Sequence, residues 1–127
     1  GIVVGTGNKV EDFGVGFFTK YGDGGVDISP IADLYKSEVY SLADALGVMQ
    51  EIQDASPTDG LWDDGRTDED QLGASYAELE WAMKETENPS GQEHSDREKE
   101  VLERYLELNA ANSHKMNPIP VFQMSRR

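Results

Sequence analysis

The chain has no cysteine among its 127 residues. Disulfides and thiolate metal sites are therefore excluded, and the composition fits the cytoplasm. Basic residues are scarce: 11 Lys and Arg stand against 25 Asp and Glu, a formal net charge of −14. A chain this acidic does not seek nucleic acid or anionic lipid by bulk electrostatics, so neither a nucleic acid nor a membrane is expected as partner. Any anionic ligand has to be met by local cations that offset the overall field. No apolar run approaches the roughly 20 residues of a membrane span, and no signal peptide is visible. The only histidines are His94 and His114, both in late polar segments. No Ser-His-Asp arrangement can be argued from them.

What is present begins with GIVVGTGN. Ile2, Val3 and Val4 form a continuous apolar run, as in a strand buried on both faces. Such a strand needs neighbours in a sheet, and no second convincing run follows. The expectation is the C-terminal part of a larger α/β protein, its other strands lying upstream or in a partner chain. Asn8 is placed to cap a short helix at residues 9–13, which Gly14 and Gly16 end. Residues 17–30 read as loop. Residues 35–46 read as a helix starting near Ser37, with Val39, Leu42, Ala43 and Leu46 at helical spacing and Gly47 as C-cap. A shorter helical segment, VMQEIQD, follows.

Residues 55–74 read as a long polar connection anchored by Leu61 and Trp62. Ser75-x-x-Glu78 and Ser95-x-x-Glu98 are capping boxes, each opening a helix. The first helix turns Tyr76, Leu79 and Met83 inward. The second turns in Val101, Leu102, Tyr105, Leu106 and Ala110. The tail from Ser113 reads as an extended surface segment, with His114 and Lys115 just past the last helix.

Several residues carry chemistry in this pattern. GTGN lies at the carboxyl end of a strand, where open α/β sheets bind ligands. Thr6 offers a hydroxyl there, and Glu11 a carboxylate one turn into the following helix. A hard cation such as Mg²⁺ accepts such an oxygen and bridges it to phosphates. GTGN equally reads as an ordinary turn, and Glu11 as an acid favoured by the helix dipole. In GFFTKYGDGGVD (residues 16–27), Phe17, Phe18 and Tyr21 can cover a heterocycle and Lys20 can meet phosphate. Asp23 or Asp27 can accept from ribose or an amide. The same segment also reads as a Gly-Asp turn with its aromatics in the core. Lys36 opens its helix where cations are unusual, so it either binds an anion or snorkels into solvent. Thr58 can reach a nucleotide or only form a turn. His114 and Lys115 either cap the helix dipole or grip a phosphate. The acidic run DDGRTDED lacks the spacing of a calcium loop, its glycine coming third instead of sixth.

Together, the segments GTGNKVEDFGVGFFTKYGDGGVDISPIADLYKSEV, SPTDGLW, TDEDQLGASYAELE and SHKMNPIP resemble the C-terminal half of ammonia-dependent NAD⁺ synthetase. The resemblance runs through nearly the whole chain and is weakest at residues 86–112. It implies an α/β fold, Rossmann-like and of the ATP-pyrophosphatase (adenine nucleotide alpha hydrolase) class, with residues 1–127 its mostly helical C-terminal part. It also implies a cytoplasmic homodimer for the full-length enzyme. That family uses ATP and Mg²⁺ to adenylate the nicotinate carboxylate of deamido-NAD⁺, releasing pyrophosphate, and ammonia then displaces AMP. By resemblance, Thr6, Lys36 and Thr58 match ATP-binding positions and Glu11 matches the magnesium ligand. Lys20, Asp27, His114 and Lys115 match positions that contact deamido-NAD⁺.

Two departures matter. The family's pyrophosphate loop, SGGxDS, whose aspartate is a second magnesium ligand, does not occur here. The chain alone is therefore expected to be inactive, and the alternative expectation is a non-catalytic dinucleotide-binding module. The spacing from Glu11 to Lys20 is also one residue longer than in some family members, which leaves Asp12 to Gly14 without a settled alignment.

Overall fold

The computed structural model describes residues 1–125. A π-helix at Val10–Val15 is followed by α1 (Lys36–Ala45), α2 (Gln50–Gln53), α3 (Asp68–Leu72), α4 (Tyr76–Glu87) and α5 (Asp96–Met116). The core lies where the π-helix, α4 and α5 meet. Val10 and Val15 come from the first, Leu79 and Met83 from the second, Val101 and Tyr105 from the third. These positions follow the helical periodicity of the sequence, which turns one stripe of each helix inward.

Both expected capping boxes form. Glu78 accepts a hydrogen bond from the Ser75 N–H at 2.8 Å, and Glu98 accepts one from the Ser95 N–H at 2.7 Å. Each serine hydroxyl in turn accepts from its glutamate's N–H at 3.3 Å. These pairs satisfy donors that a helix start leaves orphaned. A third box, Thr67 with Asp70, opens α3 inside the stretch expected to be a connection. Its aspartate does the work of the usual glutamate, accepting from the Thr67 N–H at 2.8 Å.

The short helix expected at residues 9–13 is instead a six-residue π-helix. Asn8 does cap its start, its Oδ1 accepting from the N–H groups of Val10 at 3.0 Å and Glu11 at 3.2 Å. Gly14 lies inside the helix and does not end it. The stop is Gly16, whose φ of 63° only glycine adopts without strain. A π-turn holds one residue more than an α-turn. That equals the surplus noted between Glu11 and Lys20.

The far end of the π-helix is held by α5. Asn109 donates to the Gly14 carbonyl at 2.7 Å, Asn112 to the Val15 carbonyl at 2.9 Å and Lys115 to the Gly16 carbonyl at 2.9 Å. Residues three apart share one helix face, so a single row of α5 donors satisfies consecutive orphan carbonyls. The row displaces the expected inward positions: Leu106 is 47% exposed and Ala110 is exposed. Replacing Asn112 with leucine should cost about 1–2 kcal/mol, the penalty of an unsatisfied, partly buried carbonyl. Urea unfolding measures it, and an unchanged midpoint would remove Asn112 from the account.

α5 also runs further than expected. His114 and Lys115 belong to its last turn and not to the tail. Residues 117–125 carry no regular structure, as the sequence implied, and Arg126 and Arg127 of that tail lie outside the described residues.

Among the described residues there is no strand, only an isolated parallel bridge between Val4 and Ile28. Ile2, Val3 and Val4 are 64, 56 and 50% exposed. One bridge cannot propagate without a longer edge to pair with. α1 forms where expected, but at its start Glu38 accepts from the Tyr35 N–H at 2.8 Å, so Tyr35 and not Ser37 takes the cap position. Its apolar stripe is uncovered: no α1 residue is buried, and Leu42 is 41% exposed.

Candidate functional site

The GTGN turn, the π-helix, the loop of residues 16–27 and the end of α5 enclose a cavity of about 510 Å³. Lys20, Asp27 and Lys115 line it, three of the four residues assigned by resemblance to the dinucleotide. Their positions have local causes. The loop turns on the Thr19 carbonyl, which accepts from the N–H groups of Gly22 and Gly24 at 3.0 Å each. Asp23 closes the same turn by accepting from the Thr19 N–H at 2.7 Å. Asp27 accepts from the Val3 N–H at 2.7 Å, tying the loop's end to the first segment. Lys115 donates to the Gly16 carbonyl and to the Phe18 carbonyl, the latter at 2.8 Å. Lys20 donates to the His114 carbonyl. The two lysines thus brace the cavity wall as well as line it. His114 does not line the cavity; its ring lies beside the Ala111 carbonyl at 3.2 Å.

Asp12 lines the same cavity, and sequence reasoning missed it. The only signal was the surplus residue after Glu11. Its carboxyl makes no hydrogen bond among the described residues. Burial, with the nearby charges of Glu11 and Asp23, pushes its pKa up to about 6. The packing is close: a Cβ on Gly7 would stand 2.0 Å from Asp12 Oδ1.

The sign of the shift makes a prediction. Below about pH 4 the Asp12 carboxyl is protonated in both folded and unfolded chains and costs nothing. As the pH rises through 6 the unfolded chain ionises first, so stability is lost across that window and stays lost above it. Asp12→Asn should therefore stabilise the chain at pH 8 by about 1 kcal/mol, allowing for solvent screening of a half-exposed group. The gain should vanish below about pH 4. Thermal melts of both proteins across this range check it; a gain independent of pH would contradict it.

Beside this cavity, four elements converge on Glu11. Its Oε2 accepts from the Asn8 N–H at 3.1 Å. Its Oε1 accepts from Lys36 Nζ at 3.1 Å and from the Tyr76 hydroxyl at 2.8 Å. Lys36 also sits over the Tyr76 ring, 4.6 Å from its centre. Tyr76 in turn touches Asp68 Oδ2 at 3.1 Å. Burial raises the Asp68 pKa, with the Glu11 charge a further cause. The Tyr76 hydroxyl is also pushed up, mainly by burial and then by the Glu11 charge. Lys36 faces a second cavity of about 420 Å³, together with Tyr40, Tyr76 and Trp81.

Two expected residues are not brought in. The Thr6 hydroxyl is exposed and has no hydrogen-bond partner among the described residues. Thr58 makes only local contacts, accepting from the Gly60 N–H at 3.2 Å and donating to the Arg66 carbonyl at 3.4 Å. Among the described residues no three His, Cys, Asp or Glu side chains cluster to hold a metal. A single carboxylate from Glu11 still suits Mg²⁺, which keeps several waters and takes one or two carboxylates plus phosphates.

Two cavities thus carry lysines in an otherwise acidic chain: Lys20 and Lys115 in the first, with the carboxylates of Asp12 and Asp27, and Lys36, paired with Glu11, in the second. Residues 1–119 match the family described as NAD synthase, and the chain belongs to that family. It is 47% identical over 120 residues to an NH(3)-dependent NAD(+) synthetase of Archaeoglobus fulgidus, covering 94% of this chain and 46% of that protein. A protein of the same description from Alkaliphilus oremlandii is 44% identical over 119 residues, covering 94% of this chain and 44% of its own length. The chain thus spans about half the length of the curated relatives it matches. Among solved structures, an NMN synthetase from Francisella tularensis superposes with a TM-score of 0.79 at 36% identity, over 97% of this chain and 47% of that one. An NH3-dependent NAD synthetase from Campylobacter jejuni, at 23% identity and a TM-score of 0.68 over 96% of this chain and 45% of its own, shares the fold.

Proposed function

We propose that the chain supplies one half of a site that amidates deamido-NAD⁺ with ammonia at the expense of ATP. The observation that carries this is the Glu11 carboxylate, held by Asn8, Lys36 and Tyr76 beside a cavity lined by Lys20, Lys115 and Asp27. Lys20 and Lys115 offset the phosphate charge of the dinucleotide, and Asp27 accepts from its hydroxyl or amide groups. His114 contributes through its carbonyl, which fixes Lys20. Lys36, with Thr6 and Thr58, is assigned to ATP. Glu11 is the residue that would hold Mg²⁺, which would supply charge stabilisation to the triphosphate. Water exclusion falls to Phe13, Phe18 and Met116 in the cavity wall.

The rest of the reading is proposed by analogy with the family. The fold of the whole protein is Rossmann-like, and the exposed Ile2–Val4 run and the uncovered stripe of α1 are apolar surfaces that its other elements would cover. The full enzyme is a cytoplasmic homodimer. The chain by itself does not turn over, because the SGGxDS loop is not among its residues. Incubation of the purified chain with ATP, Mg²⁺, deamido-NAD⁺ and ammonia tests this, and robust NAD⁺ formation by the chain alone would overturn it. Calorimetric binding of deamido-NAD⁺ with no turnover in any assembly would instead favour a binding module.

A second reading is favoured by the superposition on an NMN synthetase at 36% identity. In it the acid that is amidated is the mononucleotide. Comparing NMN and NAD⁺ formation from the two acids at equal concentration decides between them.

A further inference from the structure

Glu11 Oε1 and Asp68 Oδ2 both lie within hydrogen-bond distance of one phenol oxygen, at 2.8 and 3.1 Å. Tyrosine has a single O–H proton, so it donates to only one of them. The shorter contact is to Glu11, a residue with an assigned role. The longer one is to Asp68, which is 8% exposed and whose Oδ1 is buried without a partner. With the Tyr76 proton given to Glu11, the contact at Asp68 Oδ2 is a hydrogen bond only if the carboxyl carries a proton there and donates it to the Tyr76 oxygen, and burial, which raises the Asp68 pKa, agrees with that. The result is a directed chain of donors: Asp68 to Tyr76, and Tyr76 to Glu11.

The chain of donors spans three elements. Asp68 stands in the first turn of α3, fixed by the Thr67–Asp70 cap, and Tyr76 in the first turn of α4, fixed by the Ser75–Glu78 box. The Tyr76 ring is core, at 6% exposure, so its hydroxyl has little freedom to move. Glu11 sits on the π-helix, where no neighbour on its own helix orients its Oε1.

We infer that Tyr76, braced by Asp68, is a positioning residue that sets the direction in which the Glu11 carboxylate is offered to a divalent cation. The inference rests on the reading of Glu11 as a cation ligand. Hydrogen-bonded partners behind a ligating carboxylate govern its affinity, and their loss typically costs about 10–100-fold. Tyr76→Phe removes the donor while keeping the ring, its core contacts and the Lys36 cation–π contact.

Mn²⁺ titration of the chain joined to a polypeptide that supplies the SGGxDS half, read by electron paramagnetic resonance with a non-hydrolysable ATP analogue present, tests this, with thermal midpoints measured alongside. Glu11→Gln should abolish binding. Tyr76→Phe and Asp68→Ala should each weaken it about tenfold. Asp68→Asn, whose amide can donate to Tyr76 in the carboxyl's place, should stay within about twofold of wild type. Unchanged affinity in Tyr76→Phe, with Glu11→Gln inactive in binding, overturns this inference alone, whatever the midpoint does. Should Tyr76→Phe fail to fold, an Asp68→Ala protein with wild-type affinity overturns it equally. No Mn²⁺ bound by wild type, or no loss in Glu11→Gln, overturns the reading of Glu11 beneath it.

Discussion

Glu11→Gln is expected to lower NAD⁺ formation by the assembled enzyme about a thousandfold, because a cation ligand supplies several kcal/mol of charge stabilisation and each 1.36 kcal/mol is tenfold in rate. Glutamine keeps the length and one acceptor oxygen, so Tyr76 retains a partner and the fold should survive. Lys36 loses its charge partner at 3.1 Å and gains freedom. The fall should be much smaller for Lys36→Gln, which removes one of several cations. Steady-state assays of NAD⁺ at saturating ATP measure both. A Glu11→Gln enzyme within tenfold of wild type would mean that the carboxylate is an ordinary first-turn acid.

The largest stability effect is expected at Gly16. A Cβ there would stand 2.4 Å from the Asn112 Cβ, and the residue has φ of 63°. Left-handed backbone costs an alanine roughly 1 kcal/mol, and forcing a side chain into a filled site costs about 1–3 kcal/mol more. Gly16→Ala should therefore destabilise by about 3 kcal/mol, a large share of the 5–15 kcal/mol typical of a domain. Gly47→Ala is the control: its φ is 70° with nothing within 4 Å, so it reports backbone strain alone. Because Gly16 begins the loop that holds Lys20 and Asp27, its variant should also lose deamido-NAD⁺ binding. Equal losses at Gly16 and Gly47 in urea unfolding would show that the contact with α5 does not matter.

How far the sequence spoke depended on the range of the cause. Capping is local, so Ser75 and Ser95 announced where α4 and α5 begin, but not that α5 runs on through His114 and Lys115. The Thr67–Asp70 box escaped because aspartate at the fourth position is not the usual signature. The π-helix escaped because its extra residue matters only once Asn109, Asn112 and Lys115 of α5 are present to hold its end. Those contacts lie 95 to 99 residues apart in the chain, and no local rule anticipates them. They also explain why Leu106 and Ala110 point away from the core. The Ile2–Val4 run was read correctly as apolar and incorrectly as a strand here, since a strand needs an edge that these residues do not meet.

For the site, residue types were legible but partners were not. Lys20, Asp27 and Lys115 do come to one cavity, and Glu11 meets Lys36 across 25 residues. Asp12, Asp68 and Tyr76 carried no sequence signal of their own. Tyr76 read as a core position, which its ring is. Its hydroxyl acquires a role only when folding places two carboxylates around it.

The most direct test of the account is NAD⁺ formation, followed by chromatography, from ATP, Mg²⁺, deamido-NAD⁺ and ammonia. It is run with the chain alone and with the chain joined to a polypeptide that supplies the SGGxDS half. The account expects NAD⁺ and AMP only from the joined protein, and their loss in its Glu11→Gln form. NAD⁺ made by the chain alone, or a folded joined protein that makes neither product, would contradict it.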